Sequence, residues 1–208
     1  LSHLHNISKS VNGFSEFLEI VKTRDNYSKA FITRSINSAE DQMIKNGIVA
    51  VGYICNTTDT LELKINKKLH YYNFIESFEV KTEKSKDAIE KALLIRDIFR
   101  NNNLKATITP HSAYSVTPDL MRLIANVSDE SDYTFSIHNQ ETEEENILFK
   151  DKKGKFRDWL QSINASSKIW NNRHSSSSVL DELPRKRVIF VHNTYTNILD
   201  LKDEYYCT

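Results

Sequence analysis

Apolar residues gather in short blocks along the chain, separated by segments with helical spacing. Ile48-Val49-Ala50-Val51-Gly52-Tyr53-Ile54 is a nearly continuous apolar run, the pattern of a strand buried on both faces of a parallel sheet. Tyr71 to Val80 predicts a second strand, Ala106 to Thr109 a short third stopped by Pro110, Thr134 to Ile137 a fourth and Val188 to Val191 a fifth. Between them lie predicted helices. Ser38-Ala39-Glu40-Asp41 reads as an N-cap and first turn, running through Met43 and Ile44 to Asn46-Gly47. Asp87 to Arg100 carries Ala88, Leu93, Leu94, Ile95, Ile98 and Phe99 on a helical period. Thr117-Pro118 opens another helix with proline at its first position, continued by Leu120, Leu123, Ile124 and Val127. The acidic stretch after Ile137 predicts one more helix start. Strands separated by helix-length segments imply repeated βαβ units, parallel pairing and an α/β fold.

Four glycines and three prolines offer no obvious flexible linker, so residues 1–208 read as a single domain. Ser175 to Ser178 is the one low-complexity patch and is expected to be a mobile loop. Five βα units are fewer than the eight that close a barrel, so the sheet is either open or an incomplete barrel. Lysine plus arginine and aspartate plus glutamate both number 28, which advertises no nucleic-acid partner. The apolar runs are too short to span a bilayer, and Leu1 to Ser10 lack a signal-peptide pattern. A cytoplasmic location is the default expectation. Cys55 and Cys207 are too few and isolated for a disulfide framework, and Cys55 reads as a small core residue. The sequons at Asn56 and Asn126 read as accidents of an Asn-rich composition.

In parallel α/β sheets, functional side chains gather at the carboxyl ends of strands. Three of the seven histidines fall there: His111 after the Pro110 strand, His138 ending the Thr134–Ile137 strand and His192 ending the Val188–Val191 strand. His138 is followed three residues later by Glu141. Imidazole binds metal and a nearby carboxylate moves protons, so the spacing suits a hydrolytic metal site. The plainer alternative is an acidic helix start favoured by the helix dipole, and Glu143, Glu144 and Glu145 are assigned to it. Pro110 fixes the backbone before His111. Both His111 and His192 also admit a purely structural role. His70 and His174, in polar surroundings, are expected to be exposed.

Four stretches together resemble the amidohydrolase superfamily, specifically its cytosine-deaminase and chlorohydrolase-like branch. They are Asn46-Gly47-Ile48-Val49-Ala50-Val51-Gly52, Thr109-Pro110-His111-Ser112-Ala113-Tyr114-Ser115, Ser136-Ile137-His138-Asn139-Gln140-Glu141-Thr142 and Val191-His192-Asn193-Thr194. Their order and spacing fit strands two, four, five and six of that family's barrel. The resemblance implies a TIM-type (β/α)8 barrel, incomplete in this sequence at about strands two to six with their helices. It implies His138 as a metal ligand and Glu141 as the proton shuttle. His192 would polarise or position the attacking water, and His111 would contact the substrate. The family also uses a His-x-His pair at strand one and an aspartate at strand eight. Leu1-Ser2-His3-Leu4 resembles the residues that follow that pair, which places the pair before residue 1; His3-Leu4-His5 is the alternative. The aspartate is expected beyond Thr208. With one of four ligands in hand, these 208 residues alone are expected neither to hold metal tightly nor to turn over substrate.

The expectation is therefore a metal-dependent hydrolase of C–N bonds, deaminating a purine-like or other N-heterocyclic compound. It would use one divalent ion, zinc first and iron second, on a small-molecule substrate, without nucleic acid or membrane, and homo-oligomer formation is compatible with it. The alternative is a catalytically inactive truncated barrel acting as a binding or structural module. An open flavodoxin-like sheet fits the strand count but lacks a Gly-rich phosphate loop after its first strand. Substrate identity sits on variable loops.

Overall fold

Ser28 opens the helix Lys29–Lys45 by accepting a hydrogen bond from the Phe31 amide at 3.3 Å, the usual N-cap arrangement. In this computed structural model the described residues are 26–66, 68–127, 134–183 and 187–196, with Leu4, Phe17, Ile20, Val21 and Thr23. His3, His5 and Cys207 lie outside them. Contacts divide the described residues into two compact units: those of Leu1–Tyr53 with Thr57–Tyr72, and those of Ile54–Asn56 with Asn73–Thr208.

The first unit contains helix α1, Lys29–Lys45, strand β1, Ala50–Cys55, as far as Tyr53, and helix α2, Leu61–Ile65, and it enters strand β2, His70–Ser77. Helix α1 ends at Asn46, and Gly47 follows at φ +79°, where glycine is unstrained. Its start is well upstream of the expected cap at Ser38. Polar Thr33, Arg34, Ser35 and Asn37 dilute the apolar period there, and only Ile32 and Glu40 are buried. Strand β1 departs from the expected burial on both faces: none of its residues is fully buried, and Val49 just before it is 72% exposed. It is an end strand of a sheet ordered β1-β2-β3, so it has one neighbour among the described residues. Tyr71 donates from its hydroxyl to Glu40 at 2.8 Å. Lys64 is buried with Nζ 3.5 Å from the Tyr53 ring centre.

The second unit carries the rest. After β2 come a short 3-10 turn at Thr82–Lys84, helix α3 at Ser85–Asn101, strand β3 at Lys105–Pro110, helix α4 at Pro118–Asn126 and strand β4 at Phe135–Asn139. Helices α5 (Glu143–Asp151), α6 (Lys155–Ser162) and α7 (Lys168–Asn171) follow, then a 3-10 segment at Ser176–Glu182 and strand β5 at Val188–His192. The strands run parallel. Asn73 bonds to Lys105 near the start of β2 and β3, and His111 bonds to Ser77 at their ends. A parallel bridge joins Ser112 to His138. Strand β4 pairs in parallel with β5, with His138 opposite Val191 and Asn139 opposite His192. The core is aliphatic and aromatic: Ile75, Phe99, Ile108, Leu120, Ile124, Ile137 and Leu148 are all at or below 1% exposure. Helix α4 begins as expected, with Pro118 at its first position and Thr117 Oγ1 accepting from the Leu120 amide at 3.1 Å. The Ser175–Ser178 patch is not a free loop. Ser176 is buried, and its hydroxyl bonds to Glu145. Among the described residues, no helix is long and apolar enough to cross a membrane.

Candidate active site

Strands β2 to β5 each place a histidine or a glutamate at or near their carboxyl ends. The His111 amide donates to Ser77 at 3.1 Å, and its carbonyl accepts from the His138 amide at 2.9 Å. That wedges the His111 backbone between β2 and β4. His111 and His138 then have ring centroids 4.8 Å apart, and His138 and His192 have theirs 5.3 Å apart. Three imidazoles form a row across three adjacent strands. Glu76, from β2, places Oε1 3.5 Å from His138 Nδ1. Glu141 places Oε2 3.2 Å from His192 Nε2. Glu76, His111 and His138 each offer a ligand atom, and those atoms all lie within 4.8 Å of one another.

Hydrogen bonds fix how these rings present themselves. His138 Nδ1 lies 3.0 Å from the His111 carbonyl, which can only accept, so Nδ1 carries the hydrogen and Nε2 keeps a lone pair. A backbone carbonyl holding one imidazole nitrogen while the other faces a metal is the common arrangement at metal sites. His111 Nδ1 is engaged by Ser115 Oγ at 2.7 Å and Ser112 Oγ at 3.0 Å, which leaves its Nε2 for the cluster. Burial pushes His111 down to about 3, with His138 and His192 adding to the effect. Burial also lowers His138, against the bond to the His111 carbonyl. Both rings are therefore neutral near pH 7, the form that ligates metal. Glu76 is pushed up to about 8, first by burial and then by Glu141. Glu141 is raised by burial, while His192 and a hydrogen bond from Tyr114 pull it back.

Two neutral imidazoles and a carboxylate make a donor set that suits a divalent ion such as zinc. A cation beside these groups would also reverse the local electrostatics that now disfavour an ionised Glu76. The residues therefore fit a metal.

The turn that carries Glu141 is strained and braced. Gln140 has φ +47°, and His192 and Asn193 have φ +79° and +52°. Non-glycine residues hold such angles only where their surroundings impose them. Here the β5 end is zipped to the β4 end: Asn193 N bonds to Asn139 O at 2.9 Å, Tyr195 N to Gln140 O at 3.0 Å, and Asn139 Nδ2 to Asn193 Oδ1 at 2.8 Å. Glu145 is wholly buried and accepts from the Gln140 and Glu141 amides at 3.1 and 3.0 Å, as well as from Ser176. Its own amide donates to Thr142 at 3.3 Å. Burial lifts Glu145 to about 7 against these bonds. Glu143 and Glu144 are exposed as expected, but Glu145 is not a solvated helix-start charge. It is a capping-box carboxylate that reaches two residues past its usual target.

All four residues singled out from sequence, His111, His138, Glu141 and His192, come together here, and His70 and His174 are exposed. Three contributors escaped the sequence reading. Glu76 is the lone charge in the apolar run Phe74-Ile75-Glu76, an oddity that signals a site. Glu145 had a signal too, in the Thr142-x-x-Glu145 spacing. Arg173, buried at 2% exposure, donates to the carbonyls of Ala113 and Val116 and pairs with Glu182 through Nε and Nη2 at 3.0 and 3.2 Å. Nothing in its local sequence marked it.

The sequence pattern of the amidohydrolase family matches residues 2–204. The chain belongs to the amidohydrolase family. Its fold is similar to that of aminofutalosine deaminase from Helicobacter pylori, with a TM-score of 0.69 and 23% identity over 82% of this chain and 44% of that one. Guanine deaminase from C. acetobutylicum, solved with guanine in its active site, superposes with a TM-score of 0.60 at 16% identity, covering 83% of this chain and 41% of that one. An adenosine deaminase from Xanthomonas campestris with bound zinc gives 0.56 at 15%, covering 84% and 37%. At these identities the likeness is one of fold. This amidohydrolase chain spans less than half the length of each of these structures. No curated protein sequence matches it.

Proposed function

We propose that the protein carrying this chain is a metal-dependent hydrolase of C–N bonds that deaminates a purine-like or related N-heterocyclic compound on a (β/α)8 barrel. The row of His111, His138 and His192 with Glu141 on its outer end is the observation that carries this reading. Three structurally similar amidohydrolases are deaminases of aminofutalosine, guanine and adenosine, which supports the reaction class and leaves the substrate open.

In this reading His138 would hold the metal, with Glu76 and His111 beside it as further donors or as partners of the substrate. A divalent ion there supplies Lewis acidity and brings the pKa of its water towards neutrality. Glu141 accepts a proton from the attacking water and returns it to the departing amine nitrogen, so that R–NH2 and water become R–OH, or its keto tautomer, and ammonia. His192 holds Glu141 from the outer side and orients the water. His111, neutral because buried, donates or accepts a hydrogen bond at the heterocycle without adding charge.

The test is ammonia release by the zinc-loaded protein across a panel of aminated purines and pterins, alongside metal analysis. Glu141→Gln should lower turnover by about 10²–10⁴-fold while zinc content stays constant. Undiminished ammonia release by this variant, or none from the parent on any heterocycle, would refute the reading.

A further inference from the structure

Glu145 is wholly buried in the first turn of α5, and it has no part in the chemistry assigned so far. Its two carboxylate oxygens serve three donors. Oε1 accepts from the Gln140 amide at 3.1 Å and from the Ser176 hydroxyl at 2.5 Å, and Oε2 accepts from the Glu141 amide at 3.0 Å. Two successive amides converging on one anion form a backbone nest, and the left-handed φ of Gln140, +47°, lets them converge. The helix that carries Glu145 is itself fixed. Leu148 and Phe149 are at 0% exposure in the core, and Lys152 Nζ closes the helix end on the Phe149 carbonyl at 2.6 Å. Ser176 opens the 3-10 segment whose far end, Glu182, pairs with the buried Arg173.

Glu141 needs that support. It lies on the turn between β4 and α5, outside both elements, and a group on a loop is placed less precisely than one on a helix or strand. His192, 43% exposed, touches one of its carboxylate oxygens from the outside. A base transfers protons only within hydrogen-bond reach of its partner, and misplacement by an ångström is costly. Gln140 holds a backbone angle that a non-glycine residue keeps only under constraint, so a released turn would relax and carry Glu141 with it.

We propose that Glu145 is the positioning residue for Glu141: by holding the Gln140 and Glu141 amides, it lends the rigidity of α5 to the turn and fixes where the Glu141 carboxylate meets water and substrate. The inference rests on Glu141 being the proton shuttle. A carboxyl group is required for the task. Ser176 can give or take the hydrogen it shares with Oε1, so both amides keep an acceptor whether or not Glu145 is ionised. In a glutamine one end becomes an NH2 group, which only donates. Whichever end that is, one backbone amide then faces a donor.

The experiment compares the parent with Glu145→Gln, Ser176→Ala, Glu141→Gln and the double variants that join each of the first two to Glu141→Gln. All are zinc-loaded and read by kcat, KM and zinc content. Glu145→Gln should lower kcat by about 10- to 100-fold, with KM within about twofold and zinc content unchanged. Because Glu145 acts through Glu141, the double variant should match Glu141→Gln alone within about twofold. A merely structural role would lower turnover by the same factor in both backgrounds. Ser176→Ala removes one of the three donors and should lower kcat by about 2- to 10-fold, again only where Glu141 is intact; it decides the matter if Glu145→Gln fails to fold. Parental kcat in the deciding variant, or a fall that persists alongside Glu141→Gln, overturns the role of Glu145, and a slow Glu141→Gln then leaves the deaminase reading intact. Undiminished turnover by Glu141→Gln removes both.

Discussion

In the first unit Glu40 is 2% exposed, and every neighbour described around it is complementary. Tyr71 donates to it at 2.8 Å, and Lys68 stands 4.0 Å away. Lys64, equally buried, rests on the electron-rich face of Tyr53, a favourable seat for an ammonium. Around the histidine row of the second unit, ionisable groups are buried in the opposite manner. Glu76 has Glu141 as its charged influence, and His111 has His138 and His192. Each is driven towards its neutral form. Complementary burial stabilises a fold, whereas like with like costs stability and is kept where chemistry or a cation needs it. Buried charge alone therefore does not mark a functional site; uncompensated burial does.

Three substitutions sharpen that contrast. Arg173→Met should cost the most, about 3–5 kcal/mol in denaturant unfolding, because it strands Glu182 and the carbonyls that the guanidinium serves. A cost below about 1 kcal/mol would show that the clamp on the His111 loop is dispensable. Glu76→Gln should weaken zinc binding about 10- to 100-fold, read by competition with a chromophoric chelator, while the metal-free protein melts no lower than the parent. A variant that binds zinc normally but unfolds early would move Glu76 into the complementary class. Tyr71→Phe should have the smallest effect, about 1 kcal/mol of stability with zinc binding and turnover unchanged. A fall in turnover would mean that the first cluster is not merely structural.

The strands and the histidines at their ends were legible because parallel-sheet physics writes them locally: an apolar run buries itself, and the residue that follows it faces the site. The start of α1 was illegible because Ser28 caps it through a single hydroxyl and the helix buries only Ile32 and Glu40. The full burial anticipated for β1 was a matter of neighbours, since an apolar run does not state how many strands flank it. Glu76 was hidden by the same local logic, because its partner His138 lies across two strand connections. Arg173 and Ser176 reach their targets over 57 and 31 residues, separations at which no short pattern survives. The capping box at Thr142–Glu145 was readable, and its meaning was lost only because the acidic run around it suggested solvent.

The row of imidazoles has a further consequence. Its steps of 4.8 and 5.3 Å are close to the rung spacing of a sheet, roughly 4.7–4.9 Å. The backbone ladder, and not the loops, is thus the ruler that spaces the three imidazoles. Insertions and deletions after each strand can reshape what enters from above without altering that interval. Such a scaffold separates two kinds of heredity: the chemistry travels with the strands, and the appetite for a particular molecule is free to drift.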